Sequence, residues 1–139
     1  MIQAGLIEQL ELPSTVDSLT KIEGFIEEFC EQCNLNEDYY GNILIALTEG
    51  VNNAITHGNK MDKDKTVWLN MESSDNDVEF TIVDEGDGFD YNNIPDPTLP
   101  ENLERLSGRG VFLMRQLADE VDFEGNGSTI RLRFKGLNN

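Results

Sequence analysis

Basic residues are scarce in this chain: Lys and Arg together number 10 against 27 Asp and Glu, giving a formal net charge of −17. A protein held on a nucleic-acid duplex or an anionic membrane by counterion release needs a basic surface, so neither is expected as a direct partner. Histidine is limited to His57 and cysteine to Cys30 and Cys33. The cysteines have C-x-x-C spacing, but with a single distant histidine no four-ligand zinc site can be built within one molecule. They read as reduced, partly buried thiols. No segment approaches the ~18 uninterrupted apolar residues of a membrane span. Residues 1–5 also lack the basic and apolar blocks of a secretory leader, so a cytoplasmic protein is expected. The length, 139 residues, fits a single domain over residues 1–139, and a domain near this size buries roughly two-thirds of its unfolded surface.

What is present is a clear alternation of strand and helix periods. Residues 5–12 read as a strand ended by Pro13. Ser14 then stands as a helix N-cap with Asp17 in the first turn. Leu19, Ile22, Phe25, Ile26 and Phe29 follow helical spacing to about Cys33. Asn36 is a second candidate cap, with Glu37 and Asp38 where negative charge suits the helix dipole. The following helix is expected to reach His57, with Gly58 as a left-handed stop. Its apolar stripe is Ile43, Leu44, Leu47, Val51, Ala54 and Ile55; Glu49, Asn53 and His57 fall on the side largely opposite.

Residues 66–72 and 77–84 alternate with period two across a Ser73-Ser74-Asp75-Asn76 turn, which is a hairpin pattern. Val67, Leu69 and Met71 share one face of the first strand, and Val78, Phe80 and Ile82 one face of the second. Over residues 85–107 the pattern dissolves around Pro95, Pro97 and Pro100, and a loop of that length in a compact domain is usually functional or disordered. A helix resumes over residues 110–118, followed by a closing hairpin about Asn126-Gly127. Hairpin-linked strands with helices gathered between them give an α+β two-layer sandwich. The expected sheet is mixed, mostly antiparallel, and covered on one face by helices.

Three segments carry candidate chemistry. The first runs from Glu49-Gly50-Val51-Asn52-Asn53 to His57-Gly58-Asn59. The second is Asp84-Glu85-Gly86-Asp87-Gly88 at a strand end, and the third is Ser107-Gly108-Arg109-Gly110 opening a helix. Glu49 and Asn53, one turn apart, offer a proton acceptor beside a neutral oxygen ligand. Mg²⁺ is commonly held by one or two protein oxygens plus water and phosphates, so one Asn suffices. Asp84 can accept a hydrogen bond from an exocyclic amine such as that of adenine. Gly86 and Gly88 remove side chains where a flat base would approach, while Gly108 and Gly110 offer backbone N–H groups to phosphates. Arg109, Arg105 and Lys60 are the nearby cations. Distant carboxylates weigh little against a polyanion because the Debye length is about 8 Å at physiological salt. Taken singly, each segment would be an ordinary solvated helix face, turn or loop; the weight lies in all three occurring in order.

Together these segments resemble the N box and two glycine boxes of the GHKL, or Bergerat-fold, ATPases. Within that superfamily, Ala46-Leu47-Thr48-Glu49 through His57-Gly58-Asn59 is similar to the anti-sigma factor serine/threonine kinases. The same holds for Asp96-Pro97 and for Gly108-Arg109-Gly110 through Leu117-Ala118-Asp119-Glu120-Val121. The resemblance implies a Bergerat fold that binds ATP and Mg²⁺. Asn53 would be the metal ligand, Asp84 the adenine acceptor and Glu49 the catalytic carboxylate. Gly86, Gly88, Gly108 and Gly110 would shape the cradle under a lid of residues 85–107, with Arg109 and Arg105 near the phosphates. Asn52 competes for the metal role but lies about 100° around the helix. The implied activity is transfer of the γ-phosphoryl group to Ser or Thr of an anti-sigma factor antagonist. A sigma factor would be the other partner, and a homodimer the assembly. The alternatives are an ATP-binding regulatory module without transfer and a detached histidine-kinase catalytic domain.

Overall fold

The period-two segments form a sheet because each strand has one apolar face to bury and one polar face to leave to solvent. A computed structural model of the protein describes residues 5–33, 35, 37–74, 77–86, 106–125 and 128–135, with the backbone alone for 106–109. The strands are β1 (Ile7–Pro13), β2 (Thr66–Ser73), β3 (Val78–Val83), β4 (Glu120–Glu124) and β5 (Thr129–Phe134). They lie in the order β1-β2-β3-β5-β4, and all four pairings are antiparallel. The expected parallel component is therefore missing among the described strands.

The helices α1 (Asp17–Gln32), α2 (Glu37–Asn53) and α3 (Leu106–Leu117) supply the second layer. Ile22, Ile26 and Phe29 of α1, Ile43, Leu47 and Val51 of α2, and Val111 and Met114 of α3 join Val67, Leu69, Met71, Val78, Phe80, Ile82, Ile130 and Leu132 in one core. Phe80 stacks edge-on against both Phe29 and Phe134. Cys30 and Cys33 are free and buried. Burial, with the neighbouring Cys33, pushes the Cys30 thiol up to about 12, so it is protonated and inert at neutral pH.

Two packing details place the functional end of the molecule. Gly50 lies where α2 crosses the sheet and α3; a Cβ there would stand 2.5 Å from Ile82 Cδ1 and 3.2 Å from Met114 Sδ. A side chain at that position would require the Ile82 and Met114 side chains to shift. Ser14 does not cap α1, whose N-cap is Val16 with no side-chain hydrogen bond. Its buried hydroxyl instead donates to the Lys65 carbonyl at 2.8 Å, tying the end of β1 to the start of β2. The expected cap at Asn36 lies outside the described residues.

Candidate functional site

The α-helical hydrogen bonding of α2 stops at Asn53, and one π turn, Ala54–Gly58, continues it. The Asn59 N–H donates to the Ala54 carbonyl at 2.8 Å, an i to i−5 bond that adds a residue to the turn. Single π turns inside helices are frequent at functional sites. Here the wider turn takes His57 out of register with Glu49 and Asn53, and it is exposed. Gly58 is not a left-handed stop: the positive φ angles fall on Lys60 (53°) and Met61 (60°). Its lack of a side chain serves contact. A Cβ on Gly58 would lie 2.2 Å from Asp84 Oδ2, and one on Gly86 would lie 1.9 Å from the Gly58 carbonyl oxygen.

The expectation that Glu49 and Asn53 face away from packed structure is corrected. Asn53 is buried at 2 % exposure and Glu49 is half-buried, because α3 lies across them. The point where a Cβ on Gly110 would stand is 3.1 Å from Glu49 Oε2, 3.1 Å from Asn53 Nδ2 and 3.3 Å from Asn53 Oδ1. A carboxylate and a carboxamide thus meet beneath a helical glycine. The Asn53 Nδ2 is buried without a hydrogen-bond partner, the one such side-chain atom among the described residues. An orphaned buried donor is costly, about 1–3 kcal/mol, and native structures rarely keep one without a use. Turned over about its last torsion, the same amide presents oxygen instead of nitrogen at that position. It therefore suits either a phosphate oxygen or a hard cation. Asn52, the competing residue, is only half-buried.

Asp84 sits at the end of β3, with its N–H donating to the Ser128 carbonyl at 2.9 Å. Its Oδ1 accepts from the Gly86 N–H at 2.7 Å. Burial raises its pKa, partly opposed by the Gly86 N–H and the charge of Lys65. Asn53 and the Gly58–Asp84 contact lie at one end of the same continuous helix, five residues or roughly 7 Å apart along its axis.

The third segment is displaced from its expected register. Helix α3 begins at Leu106, not Gly110, so Gly108 falls among the first four residues, whose N–H groups have no intrahelical partner, and Gly110 falls beyond them. Gly110 instead provides the close approach over Glu49 and Asn53. Gly88, Asp96-Pro97 and Arg105 lie outside the described residues, as does the Arg109 side chain. Of the other cations, Arg131, Arg133 and Lys135 are paired with Glu79, Glu120 and Glu124, and Arg115 lies over the Phe123 ring. The charge of Lys65 acts on Asp84.

No group of three or more His, Cys, Asp or Glu that could hold a metal is found among the described residues. A cation at Asn53 would complete its shell with phosphate and water oxygens, as Mg²⁺ commonly does. A cleft of about 520 Å³ lined by Glu27, Cys30, Glu31, Leu35, Glu37 and Tyr40 lies at the far end of α2. It contains none of these groups.

A buried amide beside a carboxylate on one helix, an acid at a strand end and glycines in close contact with both are thus gathered at one end of the helical layer. Residues 12–134 match the histidine kinase-like ATPase domain family, and the chain belongs to that family. The relatives give a closer placement. The chain is 33 % identical over 133 residues to the anti-sigma F factor of Bacillus velezensis, covering 88 % of this chain and 90 % of that protein. It is 25 % identical over 136 residues to the serine-protein kinase RsbW of Bacillus subtilis, covering 94 % and 85 %. The fold matches a crystal structure of the RsbU and RsbW domains of a Mycobacterium tuberculosis protein with a TM-score of 0.64 and 16 % identity. That match covers 94 % of this chain and 32 % of the longer one. No helix among the described residues is long and apolar enough to cross a membrane.

Two glycines have contact roles that the sequence pattern does not reveal: Gly50, whose close packing leaves no pattern, and Gly58, which the pattern of helix termination claims.

Proposed function

We propose that the protein is an ATP-dependent serine/threonine kinase whose substrate is the antagonist of an anti-sigma factor, and that it binds a sigma factor as its other partner, acting as a homodimer. The observation carrying this reading is the unpartnered Asn53 amide nitrogen beside Glu49 under Gly110.

In this reading Asp84 accepts the exocyclic amine of adenine. The close contact of Gly58 with Asp84 and Gly86 fixes that acceptor where the base would meet it. The free N–H groups at the start of α3 meet the phosphates, and Arg109 and Arg105 are the cations assigned to them by the family resemblance. Asn53 would hold Mg²⁺, which neutralises phosphate charge when bound. Glu49 accepts a hydrogen bond from the substrate hydroxyl and orients its oxygen toward the γ-phosphorus. As the new P–O bond forms, the bond to the β-phosphate oxygen breaks, ADP departs and the hydroxyl proton passes to Glu49. Phosphoryl transfer rests chiefly on positioning and charge neutralisation. A glutamate is a weak base at neutral pH, so orientation is its larger contribution.

The test is Glu49→Gln. It should bind Mg-ATP within about twofold of wild type while phosphotransfer to an antagonist falls by roughly 100-fold or more. Transfer at the wild-type rate removes Glu49 from the mechanism. Nucleotide binding by wild type with no transfer to any antagonist leaves an ATP-binding regulatory module. An acid-labile product points to histidine as the acceptor.

A further inference from the structure

Asn59 is wholly buried, and every hydrogen-bonding group on its side chain is used. Its Nδ2 donates to Ser14 Oγ at 2.8 Å and to the Thr66 carbonyl at 3.0 Å. Its Oδ1 accepts from the Glu85 N–H at 2.8 Å. Ser14 Oγ passes its own hydrogen to the Lys65 carbonyl, and the Glu85 carboxylate accepts from the Thr66 N–H. One amide thereby joins the end of the π turn, the end of β1, the start of β2 and the turn after β3. Aspartate would lack both donors, and serine or threonine would supply one group where three are used.

We propose that Asn59 is a positioning residue for base recognition: its bond to the Glu85 N–H sets the 84–86 turn at the spacing from Gly58 that aims the Asp84 carboxylate at the amine of the base. The inference rests on the nucleotide reading above. Its physical basis is the narrow tolerance of the contact between this turn and Gly58. Asp84 and Gly86 flank the residue that Asn59 holds, and both approach Gly58 so closely that neither glycine has room for a methyl group. A turn released from Asn59 can move away from Gly58, and hydrogen bonds weaken steeply once distance and angle leave their optimum.

The test compares equilibrium binding of Mg-ATP with that of Mg-purine riboside triphosphate, which lacks the exocyclic amine. Folded wild type should prefer ATP. In Asn59→Ala that preference should shrink by about fivefold or more, the loss falling on ATP rather than on the analogue. Ser14→Ala leaves Asn59 in place and removes one of its two acceptors; it should show a smaller loss of about twofold and decides the question should Asn59→Ala fail to fold. A purely structural role would lower the melting temperature, or weaken both nucleotides equally, and leave the ratio unchanged. Folded variants that keep the wild-type ratio overturn the assignment of Asn59 while the nucleotide reading stands. Wild type that binds neither nucleotide overturns both.

Discussion

Asn53 and Asn59 stand on either side of one π turn, and both side chains are nearly inaccessible, at 2 % and 0 %. The first leaves its amide nitrogen without a partner, whereas the second uses both amide hydrogens and its oxygen on three separate segments. A satisfied buried amide specifies where backbone segments lie relative to one another. An unsatisfied one in the same environment costs free energy in the unliganded protein, which a ligand can return. The difference separates the frame of the site from its grip within six residues of sequence.

That contrast breaks most severely if the frame itself is forced open. Gly86→Ala would place a methyl group 1.9 Å from the Gly58 carbonyl oxygen, and backbone cannot yield as a flexible side chain does. Chemical denaturation should show a loss of about 3 kcal/mol; an unchanged midpoint would mean that the turn is not held against Gly58.

Asp84→Asn tests a residue belonging to both categories, since its Oδ1 is bonded to Gly86 while the group is buried as an acid. The variant keeps an acceptor for the Gly86 N–H and removes a buried charge. Stability at neutral pH should hold or rise while Mg-ATP affinity falls roughly 10- to 100-fold. The pH dependence has a definite sign. Burial raises the folded pKa of Asp84, so the folded chain holds this proton more tightly than the unfolded chain. The stabilisation from that proton is complete below the unfolded carboxylate value and is lost as pH rises through the folded one. The stability gap between Asp84→Asn and wild type should therefore narrow as pH is lowered through this range. Wild-type nucleotide affinity should weaken over the same interval as the anionic acceptor is protonated. A gap that widens on acidification would contradict the buried-charge account.

Much of the frame was legible because it rests on periodicity. Val67, Leu69, Met71, Val78, Phe80 and Ile82 were placed on the inner sheet face by alternation alone, and each is buried. The stripes of α1 and α2 were read from helical spacing in the same way. Where the reading slipped, a long-range contact was the cause. Ser14 has the chemistry of a cap, but the nearby Lys65 carbonyl claims its hydroxyl. Gly58 has the position of a helix stop, and only the arrival of β3 from 26 residues away shows that it makes room for Asp84. Asn53 reads as solvated until α3 is laid across it. Helix α3 starts four residues before the expected position: glycines at 108 and 110 weaken helix propensity by about 1 kcal/mol each, whereas packing against α2 sustains the helix through them. Asn59 closes the first candidate segment but has no role there, because its partners Ser14, Thr66 and Glu85 come from three separate parts of the chain.

The most direct measurement is a paired determination of melting temperature and Mg-ATP affinity for wild type and Asn53→Ala. The account predicts that wild type binds Mg-ATP and that the variant loses about tenfold or more in affinity. Its unliganded melting temperature should shift by no more than a few degrees, since the amide nitrogen it removes had no partner to lose. Equal Mg-ATP affinity in the two proteins would contradict the account.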